Sequence, residues 1–175
     1  MRGSRFPAPG RGATYEAWAR QRLPEVAAPA LVIHAAVLAH GGSATLCCGV
    51  PGAGKSTLAG LLPDMALGEE LALLHPRGGD GPVVEVLPVR GERGGGARLA
   101  AVLILEHGRE HRLTPLAPGA AVRAVARHVY WPTEAPAALG RAFGGLVEVL
   151  ASVPVYRLAF RPESGVRKVL LEALG

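Results

Sequence analysis

The chain has 175 residues and a mass of 18.1 kDa, the size of one compact domain burying ~70% of the surface its unfolded chain exposes. Apolar residues at 49% against 19% charged exclude disorder over most of the length. No apolar run reaches the ~20 residues of a spanning helix, because Leu31 to Leu38 is cut by His34 and followed by His40, Gly41 and Gly42.

A net charge of +5 raises the question of a polyanionic partner, but the arginines are scattered from Arg2 to Arg167 without a basic block. The three Phe, two Trp and three Tyr are not interleaved with them as base stacking requires, so no nucleic acid is expected. Neither is a membrane. Arg2, Arg5 and Arg11 stand among Gly and Pro with no apolar stretch behind them, which gives neither a secretory nor a transit signal and makes the cytoplasm the expected compartment.

In chain order, residues 1–12, rich in Gly, Pro and Arg, predict a flexible arm ahead of a single domain over 13–175. Thr14 to Arg22 predicts a short helix capped by Thr14 and closed by Pro24. Ala30 to Ala39 and Ala44 to Gly49 predict strands around a turn at His40 to Ser43, and Lys55 to Leu62 predicts a helix stopped by Pro63. Short strands are expected at Glu70 to Leu74, Val83 to Leu87 and Leu99 to Leu105. The loops between them, Pro76 to Pro82 and Gly91 to Gly96, are glycine-rich and suit either surface turns or lids. Helices at Pro118 to His128 and Ala135 to Ala151, a strand at Val153 to Phe160 and a helix from Pro162 to Leu174 complete the pattern of an α/β domain. The adjacent Cys47 and Cys48 lie on a predicted strand, where successive side chains point to opposite faces. They read as buried thiols rather than a disulfide or zinc site.

The segment that carries chemistry is Gly49-Val50-Pro51-Gly52-Ala53-Gly54-Lys55-Ser56-Thr57, which satisfies G-x-x-x-x-G-K-[ST] between a strand and a helix. Glycines let successive amide N–H groups turn into an anion nest at the positive end of the following helix. Lys55, one of only two lysines with Lys168, reaches β and γ phosphates, and the Ser56 hydroxyl completes a Mg²⁺ shell. The predicted ligands are therefore a nucleoside triphosphate, ATP, and Mg²⁺. Phosphoryl transfer also needs carboxylates, one on the metal and one for the nucleophile's proton, and Glu69 and Glu70 follow the loop's helix closely. His34 lies on the run before the loop, where an imidazole meets a phosphate or orders a carboxylate. His107 and His111, with Gly108 and Arg109 between them, predict a hairpin turn with both rings on the surface.

Together, His34-Ala35-Ala36-Val37, the loop, Leu67-Gly68-Glu69-Glu70-Leu71 and Val153-Pro154-Val155-Tyr156-Arg157-Leu158 resemble the catalytic domain of HPr kinase/phosphorylase and its shorter relatives, from about Leu31 to Leu174. The resemblance implies a P-loop core like that of phosphoenolpyruvate carboxykinase, with a mixed or antiparallel sheet and flanking helices. It implies ATP-dependent phosphorylation of a serine hydroxyl on a protein, a peptide or free serine. By position, Lys55 matches the phosphate-binding lysine, Ser56 and Glu70 the metal side, Glu69 the aspartate general base, and His34 the histidine before the loop. The family usually carries Asp-Asp or Asp-Glu where this chain has Glu-Glu, and one methylene moves a carboxylate by about 1.5 Å. The residues leave two alternatives, a nucleotide-binding accessory protein of a peptide-modification pathway that transfers nothing, and a simple NTPase. They are compatible with a monomer or an oligomer.

Overall fold

A computed structural model describes residues 17, 19, 30–78, 80–87, 95–132 and 136–174. The predicted arm lies outside them, and of the predicted helix Thr14 to Arg22 only Ala17 and Ala19 are described, both helical. The described strands are β1 (Leu31–His34), β2 (Ala36–His40), β3 (Ser43–Cys48), β4 (Ala66–Gly68), β5 (Leu71–Gly78), β6 (Gly81–Val86), β7 (Gly95–His107), β8 (Arg112–Pro115), β9 (Val129–Tyr130) and β10 (Val155–Phe160). The helices are α1 (Lys55–Leu61), α2 (Pro118–Ala126), α3 (Pro136–Ser152) and α4 (Val166–Leu174).

All ten strands belong to one mixed sheet in the order β4-β2-β3-β7-β6-β5-β1-β9, with β10 beside β7 and β8 beside β10. Pairing is antiparallel except for β3 with β7 and β7 with β10. The apolar run Ala30 to Ala39 is not one strand. It breaks at Ala35, where β1 leaves to pair with β5 while β2 pairs with β3 and β4. The hydrogen-bonded path therefore runs from β2 through β3, β7, β6 and β5 back to β1, the other half of the same run.

The predicted loop Pro76 to Pro82 is mostly strand. Gly78 pairs with Gly81, and the register shifts between His75 and Gly78, an irregularity that admits Pro76, which has no N–H for the ladder. The predicted loop Gly91 to Gly96 gives up Gly95 and Gly96 to the start of β7; 91–94 lie outside the described residues. The expected hairpin between His107 and His111 does not form. β10 inserts between β7 and β8, parallel to the first and antiparallel to the second.

Helices cover both faces. Ala121 and Val125 of α2 with Leu146, Val149 and Leu150 of α3 pack on Ile33, Leu46, Cys48, Leu74, Val84 and Val102. Leu58 of α1 and Val166 and Leu170 of α4 pack on Leu38, Cys47, Leu103, Leu158 and Phe160. Cys47 and Cys48 thus go to opposite faces, both as free buried thiols, as the alternation of a strand requires. Burial pushes the Cys47 thiol up out of the physiological range, and Cys48 with it. No helix among the described residues is long and apolar enough to cross a membrane.

Candidate functional site

β3 runs into the loop 49–54, and α1 starts at Lys55, so the strand-loop-helix context expected of the motif is present. Ala53 N–H donates to the Val50 carbonyl at 3.0 Å, with Pro51 and Gly52 (φ 83°) at the centre of the turn, the residue order of a type II turn. Gly54, at φ 100°, caps α1 and accepts the first helical bond from Leu58 N–H at 2.8 Å. The amide N–H groups of the first turn, Lys55 to Thr57, have no carbonyl one turn back to bond, and the Ser56 and Thr57 side chains are exposed. Lys55 is only 8% exposed, and its Nζ folds back to donate to the Gly49 carbonyl at 2.9 Å.

Two glycines fit the loop to its surroundings. A Cβ on Gly49 would stand 2.7 Å from the Cβ of Ala53, so the strand can turn under the loop only without a side chain there. A Cβ on Gly54 would stand 2.7 Å from Cζ of Phe160 on β10, and its φ also disfavours L side chains. Gly54→Ala is expected to destabilise the fold by about 2–4 kcal/mol through backbone strain and overpacking together, lowering the thermal midpoint by roughly 5–15 °C. The double variant Gly54→Ala, Phe160→Leu recovers the packing part only. An unchanged midpoint for Gly54→Ala in thermal denaturation would remove Phe160 from the account of the loop.

Chain-distant groups reach the same edge through the sheet register. His34 pairs with Leu71, Ala35 N–H donates to the Glu70 carbonyl at 3.3 Å, and Val37 pairs with Gly68. The bend carrying Glu69 and Glu70 therefore lies against the bend at Ala35. On the other side Ala36 pairs with Cys47, one residue before the strand end that opens the loop. His34 Nε2 stands 3.5 Å from Glu70 Oε2, and the Glu70 carboxylate acts on Lys55. Burial lowers the Lys55 ammonium pKa, while the Cys48 and Glu70 side chains oppose that shift. Burial lowers His34 as well, and Lys55 adds to it. Glu70, His34 and Lys55 thus form one electrostatic group beside the loop. Glu69, half-buried at the same bend, adjoins it.

Two residues at this edge were not placed at the site by sequence. His128 follows α2, and its carbonyl accepts from His34 N–H at 2.8 Å, which places it beside His34 on the outer side of β1. Burial pushes its ring down from 6.5 to about 4, with Lys55, His34 and Arg127 each adding to the shift. Above pH 6.5 this has no effect on stability, because the ring is neutral folded and unfolded. Between 6.5 and about 4 the unfolded ring takes a proton that the folded ring refuses, so stability falls as pH falls. The loss is complete below about 4. The expected size is on the order of 1–2 kcal/mol once solvent screening at a partly exposed ring is allowed for. Denaturation curves of His128→Gln should fall less steeply than the native chain over this window, and parallel curves would contradict the assignment.

The second is His107, placed on the surface by the hairpin reading. It is exposed, but its Nε2 lies 2.8 Å from the Gly52 carbonyl. A carbonyl only accepts, so Nε2 carries the proton and donates. His107 ends β7, which runs parallel to β3, and strand and loop emerge at the same sheet edge. A long parallel neighbour of the strand before such a loop is the signal that points there. His111 does not join it; its ring lies against Gly165 ahead of α4.

Among the described residues no three His, Cys, Asp or Glu side chains cluster as a metal-holding group. The exposed Ser56 hydroxyl and the Glu70 carboxylate offer oxygen donors of the kind that Mg²⁺ bound chiefly by phosphate oxygens and water takes from a protein. No protein-family model matches the chain, and no curated protein matches it.

Proposed function

We propose that this chain is an ATP-dependent serine kinase of the HPr-kinase-like type, built on the P-loop core of that family and of phosphoenolpyruvate carboxykinase. The observation that carries the reading is the meeting, at one sheet edge, of the glycine-rich loop 49–54 with Glu70 at 3.5 Å from His34 and acting on a buried Lys55.

The amides at the start of α1 bind phosphate oxygens, and Lys55 moves from the Gly49 carbonyl to the β and γ phosphates. Ser56 and Glu70 would hold Mg²⁺, which would neutralise charge on the phosphates. His34 orients the Glu70 carboxylate. Glu69 accepts the proton of an incoming serine hydroxyl as its oxygen bonds to the γ phosphorus and the bond to the bridging β–γ oxygen breaks, releasing ADP. The Glu-Glu pair, in which Glu69 is longer by a methylene than the family's aspartate at the base position, favours a second reading in which nucleotide binds and no transfer follows.

Incubation with ATP labelled at the γ phosphate, Mg²⁺ and serine-bearing acceptors separates the readings. Label on serine supports the kinase; inorganic phosphate without acceptor makes the chain an NTPase; bound, unchanged ATP makes it an accessory protein. Calorimetry with no heat and no thermal shift from ATP and Mg²⁺ would end all three.

A further inference from the structure

β7 is the longest of the described strands, 13 residues from Gly95 to His107. It is paired with β3 as far as Ile104 and with β10 to its last residue, where Phe160 lies opposite His107. Gly108 N–H then donates to the Phe160 carbonyl at 2.9 Å, so the ladder holds the backbone of His107 from both directions along the chain. The loop beside it is built otherwise. Gly52 and Gly54, on either side of Ala53, are both at positive φ, and an added Cβ at Gly52 would meet nothing within 4 Å. Glycine passes among conformations closed to other residues, and packing does not restrain it here.

Two hydrogen bonds on a single peptide unit do. The unit is planar and trans, so the Gly52 carbonyl and the Ala53 N–H point in opposite directions. His107 Nε2 donates to the carbonyl at 2.8 Å, and the N–H donates to the Val50 carbonyl at 3.0 Å. The second bond is internal to the turn and moves with it. The first, between residues 55 positions apart, ties the unit to the sheet. Phe160, the pairing partner of His107, sets its ring against Gly54, so the same two strand ends support the loop at a second point. Released from His107, the peptide can rotate and aim its carbonyl oxygen, a partial negative charge, at an anion held by the loop.

We propose that His107 is a positioning residue of the loop, its Nε2–H holding the Gly52–Ala53 peptide in the orientation that receives the phosphates of ATP. The inference rests on the nucleotide reading of the loop. His107 acts through the Gly52 carbonyl and not on the substrate.

Two variants separate the donor from the ring. His107→Phe keeps a ring and removes the N–H, whereas His107→Gln carries an amide N–H as far along the side chain as Nε2. The position is an exposed strand end, so thermal midpoints should stay within about 2 °C of the native chain. In the nucleotide-free full chain, hydrogen exchange at the Ala53 amide should quicken about 2- to 10-fold in His107→Phe, the range over which one hydrogen bond shifts an equilibrium. It should return to within about twofold of native in His107→Gln. Calorimetry should show ATP binding weakened by a similar factor in His107→Phe and recovered in His107→Gln, with adenosine binding alike in all three chains. A native chain that binds no ATP removes the nucleotide reading and this role with it. Where the native chain binds ATP, a His107→Phe chain that matches it in exchange or in ATP affinity overturns the role of His107 alone. A His107→Gln chain no better than His107→Phe does the same.

Discussion

Replacing Lys55 with alanine is expected to weaken ATP binding roughly 10- to 100-fold, while affinity for adenosine stays within about twofold. The size follows from the environment of the ammonium. Lys55 is 8% exposed and its Nζ already reaches across the loop to the Gly49 carbonyl at 2.9 Å, so its charge is held at the loop's centre in poorly solvated surroundings, where an interaction with phosphate is screened little. Burial lowers its pKa, and the Glu70 carboxylate works against that shift. A polyphosphate arriving at the loop adds negative charge in the same sense and holds the lysine protonated. Transfer should fall further than binding, by ~10³-fold, because charge on the bridging oxygen grows as the γ phosphate leaves. Lys55→Met keeps most of the buried stem and separates lost charge from lost packing. Calorimetry with ATP, ADP and adenosine reads the pattern. Equal losses for all three, or none for ATP, would detach the lysine from phosphate binding.

The conformation of the loop was legible in sequence because its physics is local: a turn, a left-handed cap and a helix start within nine consecutive residues, 49–57. Its dependence on Phe160 was not, since that contact belongs to β10, more than a hundred residues on. A mixed or antiparallel sheet with flanking helices was foreseen as a class through the family resemblance, while its routing was not. The apolar run continues through Ala35, buried on both faces, whether or not the strand changes partner, so Ala30 to Ala39 read as one strand although β1 and β2 serve different neighbours. β4 and β9, at three and two residues, are too short to carry a periodic signal. His107 is exposed as expected, but its contact with the loop was missed for a topological reason. Gly108 and Arg109 look like a hairpin when only neighbours are considered, and nothing local shows β10 returning to separate the two strands. That His34 would order a carboxylate or meet a phosphate was anticipated from its place ahead of the loop; that the carboxylate is Glu70 was not. The physical cause of their meeting, the antiparallel register of His34 with Leu71, is a tertiary fact.

Glu69→Gln is expected to reduce transfer to serine by ~10²–10⁴-fold, the range for loss of a positioned general base, with ATP affinity changed by no more than a few-fold. The contrast with Glu70→Gln carries the weight. Glu70 stands 3.5 Å from His34 Nε2 and acts on Lys55, so removing its charge takes a counter-charge from a buried ammonium and a ligand from Mg²⁺. Glu70→Gln should therefore raise the Mg²⁺ concentration needed for half-maximal ATP binding, a quantity that Glu69→Gln leaves unchanged. The two glutamates are adjacent at the bend between β4 and β5, and the proposed kinase gives each only one task, because a carboxylate on a metal is too weak a base to take a hydroxyl proton. Single-turnover transfer and Mg²⁺ titration of the two variants, side by side, resolve the division of labour. A fully active Glu69→Gln would move the base to Glu70, with His34 as its orienting partner. Equal effects of both substitutions on Mg²⁺ dependence would mean that the pair binds the metal jointly and that another group accepts the proton.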